Sequence, residues 1–158
     1  MSSGSILAAT MPATDSARPS HRLTLRSRLE ELARVWPWVE ALAAEYAISS
    51  ETIYAIHLCL EEAVSNVIRH GYRGRPDQRV TVDCMQEGVH ELVFTIEDEA
   101  PPFNPLAESG RQKSLATSLD ELQPGGQGIR LLHKFAGRLK YEWFDGGNRL
   151  ILGFTLPH

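Results

Sequence analysis

Residues 137–156 read GRLKYEWFDGGNRLILGFTL, with apolar side chains at alternate positions on both sides of a central DGGN. Leu139, Tyr141 and Trp143 lead into that turn, and Leu150, Leu152, Phe154 and Leu156 lead out of it. A period of two places each set on one face of a strand. Asp-Gly at the reversal supplies the positive φ angles that a tight hairpin requires. The stretch therefore predicts an antiparallel hairpin with one buried face.

Working outward, the same pattern recurs. RVTVDCMQEG (79–88) alternates Val80, Val82 and Cys84, and HELVFTIEDEA (90–100) alternates Leu92, Phe94 and Ile96, joined by a short Glu-Gly connection. HRLTLRSR (21–28) alternates Leu23 and Leu25 as a further short strand. Two segments follow a helical period instead. Residues 29–48 carry a stripe of Leu32, Val35, Trp36, Val39, Leu42 and Tyr46, with Pro37 marking a kink or a late first turn. Residues 49–71 carry Ile53, Ile56, Leu60, Val64 and Val67, with Ser49 or Ser50 as cap and Gly71 as stop. A third helix is expected from about Gly126 to Phe135. Early helices and strands arriving in hairpins define an α/β two-layer sandwich: a mostly antiparallel, mixed sheet with helices packed on one face. The absence of a strand–helix–strand rhythm argues against a doubly wound parallel sheet.

The chain has 158 residues, enough for one domain with a substantial core, predicted over 21–158. Residues 1–20 lack a basic start and a long apolar run, so they read as a tail and not as a signal peptide. Segment 104–125 shows little periodicity and is long for a connection, which suggests a lid. Sixteen basic residues are dispersed among 20 acidic ones, a net charge of -4 that gives no electrostatic footprint for nucleic acid. No stretch approaches the roughly 18 apolar residues of a membrane span, so a cytoplasmic protein is expected. Cys59 and Cys84 fall in a helix and a strand and read as buried thiols.

Several polar groups stand where chemistry could use them. Glu62 and Asn66 are one helical turn apart, on a face roughly opposite Leu60, Val64 and Val67. Such a pair can offer a proton acceptor beside a hard oxygen ligand for Mg²⁺, or be a solvated helix face. His70 lines a pocket or complements the helix dipole. Asp98, at a strand end before EAPPF, either accepts a hydrogen bond from a ligand amino group or caps a turn. GGQGIRLLHKFAG (125–137) places three glycines at a helix start, where bare N–H groups suit an anion or serve a tight turn. Arg111, Lys113, Arg130 and Lys134 are the nearest cations. No Gly-Lys-Ser/Thr follows these glycines and no strand precedes them, which excludes a P-loop and a dinucleotide fingerprint.

Three segments in order form one pattern. EEAVSNVIRHGY (61–72), EDEAPPFNP (97–105) and GGQGIRLLHKFAG (125–137) resemble the N box and the two glycine boxes of the GHKL, or Bergerat-fold, ATPase superfamily of gyrase B, histidine kinases and MutL. The His-Gly-Tyr after Asn66 and the PPFNP after Asp98 are similar to the stand-alone anti-sigma-factor serine/threonine-protein kinases. That resemblance implies the histidine-kinase-like ATPase fold, ATP and Mg²⁺ as cofactors, Glu62 as catalytic base and Asn66 as metal ligand. It further implies a nucleotide site from Asn66, His70, Asp98, Ala100, Phe103, Gly125, Gly126, Gly128, Ile129 and Arg130, with Asp98 reading the adenine amino group. The implied partners are a sigma factor or similar regulator and a small antagonist phosphorylated on serine, with a homodimer as the assembly. A nucleotide-gated binding module with negligible kinase activity is the competing expectation. One departure stands out: the family's Asp-x-Gly is Asp98-Glu99-Ala100 here.

Overall fold

The computed structural model describes residues 21–107 and 126–157. The tail 1–20, Gly125, Arg111, Lys113 and most of the expected lid (108–125) lie outside the described residues. Five strands form one sheet: β1 (His21–Arg26), β2 (Arg79–Glu87), β3 (Glu91–Asp98), β4 (Arg138–Phe144) and β5 (Gly147–Thr155). Their spatial order is β1-β2-β3-β5-β4. All four pairings are antiparallel, so the mixed sheet expected from the pattern is antiparallel throughout the described residues. β5 is inserted between β3 and β4, which sets Asp98 directly opposite Asn148.

The β4–β5 reversal is the expected two-residue hairpin, with Asp145 at φ 51° and Gly146 at φ 76°. The alternating residues bury as read: Leu23, Leu25, Val80, Val82, Cys84, Leu92, Phe94, Ile96, Leu150, Leu152 and Phe154 all enter one core. Trp143 departs from that reading; it lies near the hairpin tip and is 47% exposed.

The expected 29–48 helix is two elements, a 3-10 helix over Leu29–Arg34 and α1 over Val35–Tyr46. Pro37 accounts for the break. An α-helix running through it would need its missing N–H bonded to the carbonyl of Ala33, whereas in the first turn of α1 no such bond is required. Val35, Val39 and Leu42 of the expected stripe are buried. Trp36 turns outward instead and packs edge-on against the His57 ring, with centroids 4.7 Å apart.

α2 spans Ser50–Asn66, and Ser49 caps it by accepting from the Thr52 N–H at 3.2 Å. Its buried face carries Ile56, Cys59, Leu60, Ala63 and Val64. One π-helical turn, Val67–Gly71, closes it. α3 spans Gly126–Phe135 and packs on α2, with the Cys59 thiol donating to the Leu131 carbonyl at 3.7 Å. The two cysteines are free and buried, and burial pushes both thiols up to about 12. No helix among the described residues is long and apolar enough to cross a membrane.

Candidate nucleotide site

The end of α2, the end of β3, the turn after it and the two strands of the second hairpin enclose one cavity. Ala63, Asn66 and Val67 line it from α2 and the π-helical turn, Ile96 and Asp98 from β3, and Phe103 and Pro105 from the turn. Tyr141, Asn148 and Leu150 complete the wall of this small cavity, about 20 Å³ in volume. Asn66, Asp98 and Phe103 thus come together as expected, although they are 32 and 5 positions apart in the chain.

Asn66 is not on a solvated helix face: it is 5% exposed, and its Nδ2 has no hydrogen-bond partner among the described residues. A buried amide left unpaired costs about 1–3 kcal/mol, so the position is suited to a ligand that supplies what the protein withholds. The unpartnered Nδ2 calls for an acceptor such as a phosphate oxygen, and the amide oxygen of the same side chain is the kind of hard donor that Mg²⁺ takes. Among the described residues no three His, Cys, Asp or Glu side chains converge on a point, so an ion here would draw most of its ligands from phosphate and water.

Asp98 is 7% exposed, and burial pushes its carboxyl above the usual carboxylate range. Two donors oppose that rise, the Asn148 amide at 2.8 Å and the Ala100 N–H at 2.9 Å, and both reach Oδ1. Oδ2 receives neither. The group can therefore accept from an amino group entering the cavity.

Glu62 stands one turn before Asn66 and is half-buried. Burial raises its carboxyl, the positive charge of Arg69 works against that rise, and the neighbouring Glu61 adds to it. A raised carboxyl is a stronger proton acceptor once ionised. His70 is exposed and stacks on Phe103, with centroids 5.9 Å apart and ring planes 25° apart.

Gly126, Gly128, Ile129 and Arg130 form the first turn of α3; Ile129 is buried and Arg130 exposed. Lys134 leans over the Phe135 ring, 5.2 Å from its centroid.

The Ala100 departure is accommodated. Its backbone is not among the described residues at positive φ, and the side chain is 1% exposed. The methyl faces Gly71, where a Cβ would lie 3.3 Å from it. Glycine in the π-helical turn makes room for the methyl in the first glycine box.

Three side chains of this region escaped the sequence reading. Asn148, in the hairpin turn motif, bonds Asp98 and the turn after it. Tyr141 donates its hydroxyl to Asn148 Oδ1. Tyr72 donates to the Arg79 carbonyl at 2.7 Å and accepts from the Glu99 N–H at 2.8 Å, tying the π-helical turn to the end of β3. In the sequence Tyr72 reads only as the last residue of the N box, and Tyr141 only as a strand residue leading into the turn.

An antiparallel sheet backing a mostly apolar cavity, with a few polar groups converging on it between a helix end and a strand end, defines a two-layer α/β sandwich with a ligand pocket in class. Its lineage follows from comparison: a family model for the histidine kinase-like ATPase domain matches residues 25–154, and the chain belongs to that family. The serine/threonine-protein kinase BtrW of Bordetella bronchiseptica is 30% identical over 115 residues, covering 73% of this chain and 79% of that protein. The anti-sigma F factor of Halalkalibacterium halodurans is 33% identical over 116 residues, covering 73% of this chain and 75% of its own. Among solved structures, the RsbU and RsbW domains of a Mycobacterium tuberculosis protein share the fold at TM-score 0.62 and 16% identity. That match covers 88% of this chain and 33% of the other, so the chain corresponds to about a third of that protein.

Proposed function

We propose that the chain is an ATP-dependent protein serine/threonine kinase of the anti-sigma type. It phosphorylates a serine of a small antagonist protein and, in its other engagement, holds a sigma factor or similar regulator. The observation that carries this reading is the pair on α2: a half-buried carboxyl with a raised proton affinity, one turn from a buried amide that lacks a partner. The names of the relatives, a serine/threonine-protein kinase and an anti-sigma F factor, support the same class.

In this reading Asp98 accepts from the adenine amino group, and His70 stacked on Phe103 flanks the base. The N–H groups at the start of α3, from Gly126 and Gly128 through Ile129 and Arg130, receive phosphate oxygens, with Gly125 before them. Asn66 holds Mg²⁺ through its amide oxygen. Bound Mg²⁺ neutralises charge on the phosphates. Glu62 takes the proton of the acceptor serine as the serine oxygen bonds to the γ-phosphorus. The bond from that phosphorus to the bridging oxygen breaks, and ADP leaves.

The test is transfer of ³²P from γ-labelled ATP to an antagonist protein. Glu62→Gln keeps the shape and removes the acceptor, so it should bind nucleotide within about twofold of the native chain and lose roughly 10²- to 10⁴-fold in transfer. Equal transfer by both chains refutes the kinase reading; capture of a partner with no transfer leaves a nucleotide-gated binding module. A homodimer belongs to the same proposal, and light scattering decides it against a 17.6 kDa monomer.

A further inference from the structure

Asn148 is 6% exposed, and every hydrogen-bonding position of its amide is occupied. Nδ2 donates to Asp98 Oδ1 at 2.8 Å, to the Pro101 carbonyl at 3.0 Å and to the Ala100 carbonyl at 3.2 Å. Oδ1 accepts from the Phe103 N–H at 2.8 Å and from the Tyr141 hydroxyl. These partners dictate which way the amide faces. A backbone N–H can only donate and a backbone carbonyl can only accept, so the oxygen lies toward Phe103 and the NH₂ lies toward Ala100, Pro101 and Asp98. The amide cannot flip without breaking the set.

That fixed direction has a chemical result at Asp98. Its Oδ1 is saturated by two donors, Asn148 Nδ2 and the Ala100 N–H, and donors of this kind favour the ionised carboxylate. What remains for a ligand is the second oxygen, Oδ2, which in the ionised carboxylate can only accept. A purine with a 6-amino group donates to it. A purine with a 6-oxo group brings a second acceptor to the same place and leaves a buried polar atom unpaired, the situation in which sites built around one hydrogen bond discriminate most strongly.

We propose that Asn148 is a positioning residue for nucleotide specificity: its clamped amide holds Asp98 as an oriented acceptor and thereby selects 6-amino over 6-oxo purines. The inference rests on the nucleotide-binding reading above. It assigns the selection to a residue of the β4–β5 hairpin, outside the three sequence boxes. Tyr141 acts one step further out, holding Asn148 in its orientation.

The informative variant is Asn148→Asp in the full chain. It keeps an acceptor for Phe103 and Tyr141 and replaces the donor facing Asp98 with an oxygen. Two carboxyl groups at that separation repel each other when both are ionised, so the pair holds a shared proton toward acid pH and is forced apart when it loses that proton toward alkaline pH. The other titratable or charged groups around Asp98 among the described residues are Tyr72, Tyr141, Glu97, Glu99, Asp145, Arg79 and Arg149. Dissociation constants for ADP and inosine diphosphate, each with Mg²⁺, are measured by calorimetry at pH 8 and again near pH 5.5. The native chain should prefer ADP by about tenfold or more. In the variant at pH 8 that preference should collapse to within about threefold, and near pH 5.5 the ADP affinity should recover as the pair regains its proton. A residue that only staples the turn would weaken both nucleotides equally and leave their ratio and pH profile unchanged, which overturns the inference. Asn148→Ser, whose short side chain withdraws the donor without adding charge, should also lose the ratio; it decides the matter if the first variant fails to fold. A native chain that binds neither nucleotide refutes the nucleotide reading and this inference together, whereas native binding with an unaltered ratio in a folded variant refutes this inference alone.

Discussion

Gly146 and Gly147 are adjacent, yet substitution should act on them through different physics. At Gly147, which opens β5, an added Cβ would overlap the Asp98 carbonyl oxygen and lie 3.3 Å from its carbonyl carbon and 3.8 Å from the Glu99 Cα. The obstruction is backbone, at the end of β3 beside the start of β5, and has no rotamer by which to yield. Overpacking of this kind costs about 1–3 kcal/mol, and a main-chain obstacle puts Gly147→Ala near the upper end. For a domain of this size that corresponds to a drop in Tm of roughly 6–12 °C. Gly146 has open space around it, with nothing within 4 Å of an added Cβ, but its φ is +76°. Gly146→Ala should therefore cost about 1 kcal/mol in backbone strain, or roughly 2–4 °C. Thermal unfolding followed by circular dichroism measures both, and ADP titration supplies a second readout. Gly147→Ala displaces the Asp98–Asn148 pair and should weaken nucleotide binding, whereas Gly146→Ala should leave it unchanged. Equal losses of Tm in the two variants, or a Gly147→Ala protein within about 2 °C of native, would refute the close-approach argument.

Asn66→Leu should raise stability without nucleotide by about 1–3 kcal/mol, because it removes a buried amide nitrogen with no partner, while abolishing Mg²⁺-dependent nucleotide binding; denaturant melts paired with calorimetry check both effects. Asp98→Asn bears on pH. A carboxyl whose folded value is raised contributes stability that is present at acid pH and lost as pH rises from the ordinary carboxylate range through the raised value. The variant lacks that loss, so its stability relative to native should climb across that window and level off above it, as read from unfolding midpoints at stepped pH. Ala100→Gly should cost about 1–2 kcal/mol through the lost methyl and added chain entropy. Gly71→Ala should destabilise by crowding that methyl; the double exchange should be milder than the sum, and a denaturation cycle giving strict additivity would refute the contact.

Much of this architecture was legible because it is local. Period-two segments became β2, β3, β4 and β5, and Ser49 caps α2 as its position suggested. Trp36 was misread because a helical stripe records spacing, and the break before Val35 changed which side chain completes the buried face. Of the residues the motifs single out, Asn66 and Asp98 line the cavity from a helix end and a strand end. Asn148 was invisible for a topological reason. Apart from Tyr141, its partners lie 45 to 50 residues away, and only the insertion of β5 beside β3 brings them within reach; in the chain it is simply the fourth residue of a hairpin turn. Ala100 read as damage to a motif because Gly71, the residue that makes room for it, belongs to a different box.

The strand order has a consequence for how the molecule comes into being. β5, the last described strand in the chain, occupies an interior place beside β3. During synthesis, β1, β2 and β3 emerge long before it and present the β3 edge, with Asp98 at its end, as an unpaired row of backbone donors and acceptors. About 50 residues separate the two sides of that ladder, so the pairing is a long-range closure and a slow one. The Asp98–Asn148 corner of the cavity is consequently among the last parts to assemble. A nascent chain stalled before the second hairpin would carry the N box intact and still lack one wall of the cavity.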